Sequence, residues 1–262
     1  MDGITANIKE KEANIFVKIG RAFKSLKWYE ILMCVIMLGI SIYYAIEPQE
    51  GTPQWLAIIN FISGLCGIMC IFFCAKANRM NFPFAMINTI VFAIYLGYFG
   101  IWATFWLEVI VYTPLNIYSW VNWYKHKDED DKLLAKSKVL KWWQHLIVAG
   151  AIIALTVLVY YALSFWAGNT WMKFATQYGW NVTAMKWIDA AIFAIGIVAS
   201  LLEAFRYKAQ YGWWIVTDII AVAQYVLKGD PVYVTKKTIY LIEAFVGIRN
   251  WGKLAKKNIK NE

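Results

Sequence analysis

From Trp142 to Trp166 the chain runs for 25 residues without one Asp, Glu, Lys or Arg. A helix of that kind has no polar face to offer water, so it does not belong to a soluble helical repeat. Barrel strands are shorter and alternate in polarity, which this stretch does not. In a bilayer the same stretch is ordinary, because about 20 apolar residues cross the hydrocarbon core. Composition agrees. The chain is 60% hydrophobic and 16% charged, against about 45–50% and about 25% in a soluble domain. A disordered chain and a small disulfide scaffold are excluded, and an ordinary soluble enzyme fits poorly.

The length criterion, applied along all 262 residues, predicts eight helical spans. They run from about Trp28 to Ile46, Trp55 to Ala75, Pro83 to Trp102, Thr104 to Tyr124, Trp142 to Trp166, Trp187 to Phe205, Trp213 to Leu227 and Val234 to Trp251. The fold class expected is an all-α polytopic membrane protein in the lipid bilayer. A basic amphipathic arm, Ala6–Lys27, precedes the first span. Its polar lead is too long for a cleavable signal peptide, so it is expected to be retained.

Net charge is +9, and the positions of the charges decide its meaning. With both termini cytoplasmic, 21 of the 26 Lys and Arg residues fall in inner segments. The positive-inside rule therefore predicts cytoplasmic N and C termini. The charge borders a membrane surface rather than a nucleic acid, and no nucleic-acid partner is expected.

The sequence carries an internal echo. Trp55 and Trp187, Gly64 and Gly196, and Lys76-Ala77-Asn78 and Lys208-Ala209-Gln210 are each 132 residues apart. Asn88 precedes Asp218 by 130, while Tyr112 and Trp123 precede Tyr240 and Trp251 by 128. Spans two to four thus match spans six to eight. With one helix between them, both triplets enter the membrane from the same side, which makes the repeats parallel. The expected organisation is an amphipathic arm and extra helix (1–54), a first three-helix repeat (55–124) and a segment holding the charged loop, connector helix and outer loop (125–183). A second repeat (184–252) and a basic tail (253–262) follow. The first helix lies outside the repeat and reads as a peripheral or assembly helix.

Polar groups within spans are costly and face an interior or a cavity. Asn116 and Trp120, four apart, share a helix face; they read as a binding pair or as a helix–helix hydrogen bond with packing. Asn88 and Asp218 occupy matched places in the two halves, while Gln224 lies six beyond Asp218 and well round the helix. Trp187 and Trp214 anchor at an interface or stack on a flat solute. Asp189 and Glu108 lie near span ends, where the headgroup layer is an equal explanation. Cys66, Cys70 and Cys74 repeat every four residues, yet no His shares their span and cysteine is a common small hydrophobe. No metal site and no nucleotide, zinc-protease or hydrolase motif is expected. Amides and aromatic faces suit a small, flat, uncharged-to-cationic solute. The five Lys and Arg residues outside the inner segments, Lys173, Lys186, Lys228, Lys236 and Lys237, fall in outer segments and their margins; with no basic cluster inside the membrane, a phosphorylated solute is poorly matched.

Three segments carry a resemblance. They are Asn81-Phe-Pro-Phe-Ala-Met-Ile-Asn88, Asn116-Ile-Tyr-Ser-Trp120-Val-Asn-Trp123 and Trp213-Trp-Ile-Val-Thr-Asp218, and the block from Tyr240 to Trp251 fits with them. Over about residues 55–252 the chain resembles the PnuC family of vitamin transporters for nicotinamide riboside. The resemblance implies a SWEET-like 3+1+3 helix core in a bacterial inner membrane, a homotrimer, and facilitated diffusion without ATPase, ion coupling or cofactor. A cytoplasmic riboside kinase would trap the substrate. It also implies a substrate site from Asn88, Asn116, Trp120, Trp187, Trp214, Asp218, Gln224 and Tyr240. In that reading Asn88 and Gln224 bond the ribose or carboxamide, and the tryptophans stack on the ring. Asp218 offsets the pyridinium charge or holds a helix contact. Where the family has a glycine near Ser119, this chain has the serine. Related groups carry other riboside-like vitamins such as thiamine. The competing classes are an ion-coupled symporter using Asp218 or Glu243, and an enzyme or scaffold. An enzyme would need a convergent catalytic set that the sequence lacks.

Overall fold

A computed structural model describes residues 20, 23–48, 53–98, 105–166, 179, 181–228 and 231–260. Its long helices are α1 (Trp28–Ile46), α2 (Gln54–Ala75), α3 (Asn81–Tyr98), α4 (Thr113–Lys125), α5 (Trp142–Trp166), α6 (Val182–Ala204), α7 (Gln210–Lys228) and α8 (Pro231–Lys260). The only β pairing among the described residues is isolated bridges. Hydropathy and length together single out α1, α2, α6 and most of α5 as spans. The remaining helices carry more polar groups because they turn them towards one another.

Local chemistry sets the helix ends. The Lys27 N–H donates to Glu30 Oε2 at 2.6 Å and closes the first turn of α1. Pro53 stands at the N-cap of α2, a place that wastes no backbone donor. Helix α6 starts at Val182, ahead of the apolar run, because the Asn181 side chain accepts from the Ala184 N–H at 3.1 Å. Helix α8 continues to Lys260, through the expected boundary at 252/253. Lysines favour helix, and Asn258 anchors this turn by donating to Ser137 O at 3.3 Å. A π-helical turn, Leu107–Tyr112, leads into α4. Pro114 removes one backbone donor there. The wider turn lets both the N–H and the hydroxyl of Thr113 reach Glu108 O.

Packing separates a shell from a centre. In the most apolar stretches of α1 and α5 only 11% of residues are buried, against 44% in α2 and α6. Trp142, Leu146, Ile153 and Leu158 on α5 are all more than 60% exposed. Such a face is untenable in water and natural against lipid. Helix α1 packs on α2 and α8, and α5 packs on α6. Helix α8 also packs on α2, and α4 on α6. The third helix of each triplet therefore leans on the first helix of the other.

The α2–α3 and α6–α7 turns share one design. Helix α2 ends with Ala77 left-handed at φ 56°, its N–H on Cys74 O and the Asn78 N–H on Phe73 O. Helix α6 ends with Arg206 at φ 68°, its N–H on Glu203 O and the Tyr207 N–H on Leu202 O. These are two Schellman caps, 129 residues apart. The Lys-Ala-Asn and Lys-Ala-Gln triplets, 132 apart, consequently fall at different places in the two turns. Three-residue shifts are invisible to identity matching.

The charged segment 125–141 lies as a strap across both turns. The Ala135 N–H donates to Ala77 O at 2.9 Å, and three residues on the Lys138 N–H donates to Arg206 O at 2.8 Å. Lys257 on α8 pins the strap through Asp128 at 2.7 Å and Asp130 at 2.6 Å. Burial opposes ionisation of Asp128. The Lys257 hydrogen bond and the N–H groups of Asp130 and Asp131 outweigh it, holding the carboxyl below the ordinary aspartate range. This strapped end of the bundle is called the basic end below.

Candidate functional site

The centre has two levels. At the basic end lies an aromatic and polar layer that the two triplets build with matching atoms. Carbonyls in the last turn of a helix have no intrahelical donors. In α6 they are served by α4: Asn122 Nδ2 donates to Ala204 O at 2.7 Å and Trp123 Nε1 to Glu203 O at 3.0 Å. In α2 they are served by α8: Asn250 Nδ2 donates to Ala75 O at 3.0 Å and Trp251 Nε1 to Cys74 O at 2.8 Å. Each Asn-Trp pair thus caps the opposite half. The fully buried Trp123 and Trp251 rings meet edge to face, centroids 5.2 Å apart. Phe82 packs edge-on against Trp123, and Tyr211 against Trp251.

Polar groups fill the middle of this layer. Asn81 Nδ2 donates to Glu203 Oε1 at 3.1 Å, and Cys74 Sγ approaches the same oxygen at 3.4 Å. The Tyr211 hydroxyl donates to Cys74 O at 2.8 Å. Trp120 and Trp214 pack against the aromatic cluster from α4 and α7, so two of the three predicted tryptophans border this layer.

The second level lies further along the helices, away from the basic end. Ser63 Oγ on α2 donates to Asn88 Oδ1 on α3 at 2.8 Å. Gly67 is one turn on from Ser63. A Cβ there would stand 2.7 Å from the Tyr240 hydroxyl and 3.4 Å from Asn88 Oδ1, so the glycine lets α8 approach α2. The other half repeats the device: a Cβ on Gly196 would stand 3.0 Å from the Tyr112 hydroxyl. Tyrosine and glycine again meet across the halves. The structural partner of Gly196 is Gly67 rather than Gly64, which faces Ser41 of α1.

Here the halves cease to match. Asp218 on α7 is 3% exposed and takes Lys237 Nζ of α8 at 3.0 Å. Glu108 accepts a hydrogen bond from Thr89 and feels the positive charge of Lys236. Both lysine ammoniums lie over the Tyr240 ring, at 5.8 Å for Lys236 and 5.2 Å for Lys237. Two ammoniums therefore meet at one aromatic face, one of them paired with the Asp218 carboxylate. Counted from the helix starts at Asn81 and Gln210, Asn88 is the eighth residue and Asp218 the ninth. Thr89, not Asn88, is the positional match of Asp218.

The predicted set is thereby divided. Asn88 and Tyr240 converge at Gly67, and Asp218 reaches Tyr240 through Lys237. Asn116 is half-buried on α4. Trp187 stacks face to face on Tyr160 of α5, centroids 4.0 Å apart and planes 7° apart. The structure does not bring it to the Asn88 cluster. The Gln224 side chain lies outside the described residues. Sequence reasoning missed Ser63, Thr89, Lys236 and Lys237. By sequence the two lysines stand in the outer margin of the last span, where a charge is ordinary. A lysine's long stem lets its charge sit well away from its own backbone position. The first turns of α8 beside Asp218 were the available signal. Among the described residues no three His, Cys, Asp or Glu side chains converge as metal ligands.

An apolar shell around centrally gathered polar groups defines a multi-pass helical membrane protein, and the family it falls in is one of transporters. The chain belongs to the family described as nicotinamide mononucleotide transporter, which matches residues 57–253. It is similar to the nicotinamide riboside transporter PnuC of Neisseria mucosa, 24% identical over 96% of this chain and 92% of that one. The PnuC of Haemophilus influenzae is 26% identical over 85% of this chain and 91% of its own. In fold the chain is similar to the crystal structure of the vitamin B3 transporter PnuC, with a TM-score of 0.67. That likeness has 24% identity and covers 89% of this chain and 94% of the other. The family and these relatives are transporters, not enzymes.

Proposed function

We propose that this protein moves nicotinamide riboside across the bacterial inner membrane by facilitated diffusion, alternating access between two faces of its centre. The observation that carries the reading is the two-level interior. A polar cluster at Asn88, Asp218 and Tyr240 stands above a layer that crosswise Asn-Trp caps close at the basic end. The similar proteins named as nicotinamide riboside transporters supply the substrate. In this reading α2–α4 and α6–α8 are parallel three-helix repeats, α5 is the connector of a SWEET-like 3+1+3 core, and α1 is peripheral. The basic end faces the cytoplasm, as the positive-inside rule requires. Asn88 binds the ribose or carboxamide. Asn116, Trp120, Trp187, Trp214 and Gln224 complete the expected substrate set, with Trp120 and Trp214 as the floor under the ring. Cytoplasmic phosphorylation by a riboside kinase keeps uptake running, and the working unit is a homotrimer.

The test is flux into liposomes holding the purified protein, with no ion gradient. Labelled riboside should equilibrate and not accumulate. Asn88→Ala should lower flux and binding together; undiminished flux would remove Asn88 from the site. Thiamine as a competing solute tests the vitamin assigned.

A second reading, an ion-coupled symporter, has one observation behind it. Glu243 is 0% exposed and neither of its oxygens has a hydrogen-bond partner. It lies in the field of Glu30 and Lys76, which pair at 2.5 Å and fasten α1 to the end of α2. Accumulation driven by an imposed proton or sodium gradient, and its loss in Glu243→Gln, would favour this reading.

A further inference from the structure

Asp218 and the Tyr240 ring together make the environment that selects an organic cation: a buried carboxylate beside an aromatic face. In this structure that place is taken by the chain's own ammonium, since Lys237 Nζ lies 3.0 Å from Asp218 Oδ1 and 5.2 Å from the Tyr240 centroid. We propose that Lys237 is a tethered stand-in for the cationic part of the substrate, and that a pyridinium ring displaces it from Asp218 and Tyr240 on binding. The inference rests on the riboside-transport reading and adds to it the residue that sets charge selectivity.

The geometry favours exchange over a permanent lock. The Lys237 side chain is 26% exposed while that of Asp218 is 4% exposed, so the ammonium has room to withdraw and the carboxylate does not. Left alone, the buried carboxylate would be costly. Lys237 holds it neutralised in the empty carrier, and the incoming cation neutralises it in the loaded one. A quaternary pyridinium has no N–H to donate. It replaces the charge and the ring contact of Lys237, while hydroxyls and carboxamide bond elsewhere. Lys236 lies in the field of Glu108, whereas Lys237 is the ammonium paired with Asp218.

The experiment is calorimetric titration of the purified full-length protein with two ligands of nearly one shape. One is nicotinamide riboside, a cation; the other is its 1,4-dihydro form, which is neutral. The unaltered protein should prefer the cation. Lys237→Gln removes the competitor and should tighten cation binding by about tenfold or more, the scale of a close charge pair, with the neutral form moved less than about twofold. Asp218→Asn should abolish the preference. The double variant Asp218→Asn with Lys237→Gln removes both charges, leaves nothing buried unpaired, and should bind both forms alike. Lys237→Arg should restore wild-type competition. Cation affinity unchanged in Lys237→Gln, or a cation preference persisting in the double variant, would overturn the inference. So would a selective loss of nicotinamide mononucleotide binding in Lys237→Gln, which would make the lysine a phosphate ligand. If the unaltered protein binds neither riboside form, the transport reading itself fails; if it binds both equally, only the inference does.

Discussion

The two levels of the interior differ in how they use the repeat. At the basic end the halves match nearly atom for atom. Asn122 and Trp123 do for α6 what Asn250 and Trp251 do for α2. One turn-pair further in, the match ends. One half offers Ser63 and Asn88, the other Asp218 with Lys237. A structure that closes around an axis gains from equivalent parts, because each half then supplies what the other lacks. A solute such as a riboside has no such symmetry, and the groups that meet it must differ. In the proposed function the matched level is the closure and the unmatched level the recognition surface.

The most direct way to break the comparison is to remove an indole. Trp123→Ala and Trp251→Ala should each lower stability by about 3–5 kcal/mol, the range for a buried aromatic, read as thermal unfolding in detergent. Equal losses support equivalent caps, and a well-tolerated Trp123→Ala would show that one half closes the end alone. A smaller change tests closure itself. Asn250→Ala leaves Ala75 O one donor short, a loss of about 1 kcal/mol. It should raise thiol labelling of Cys74 about fivefold in a background where the other cysteines are serine. Asn122→Ala, acting on the opposite helix, should raise it too if the two caps open together.

The shared tyrosine–glycine device sharpens the boundary between the levels. Gly67→Ala crowds the Tyr240 hydroxyl beside Asn88 and should weaken riboside binding by about tenfold, within the usual cost of overpacking. Gly196→Ala meets only Tyr112, at 3.0 Å, and should cost less. A larger loss at Gly196 would move recognition to the other half.

The smallest expected effect lies at the strap. Asp128 titrates lower when folded than unfolded. Its contribution to stability is therefore present above its unfolded value, about 3.9, and is lost as pH falls through the folded value. Lys257 is raised by its bonds to Asp128 and Asp130, so its contribution is present at neutral pH and lost only in strong alkali. Asp128→Asn should lower the unfolding temperature slightly at neutral pH and flatten the acid limb, so that variant and parent converge towards pH 3, as measured by thermal scans between about pH 3 and 7.

The spans with least to hide were the most legible. Helices α1 and α5 begin and end at the expected residues, because lipid-facing segments are apolar throughout and hydropathy reads them directly. Helix α6 begins five residues before Trp187, since a capping asparagine is a local geometric event and leaves no hydropathy signal. The site was legible by residue type and not by partnership. Asn88, Tyr240 and Asp218 stood out as polar groups in apolar surroundings. Lys237, which holds Asp218, was masked because a charge near a helix end looks like an interfacial anchor. Trp187 looked like a stacking residue and does stack, on Tyr160.

The sequence by itself determined the membrane class, the family resemblance, the long helices found among the described residues and the existence of a doubled pattern. Those properties follow from the polarity of successive residues and from their order, which the chain carries explicitly. Only the tertiary structure decided that the repeat closes crosswise, at an offset of 129 in the turns, and that Asp218 is held by Lys237. Those facts depend on which helix faces meet and how far side chains reach. Two residues on α7 and α8 become neighbours only once every helix between and around them has been packed.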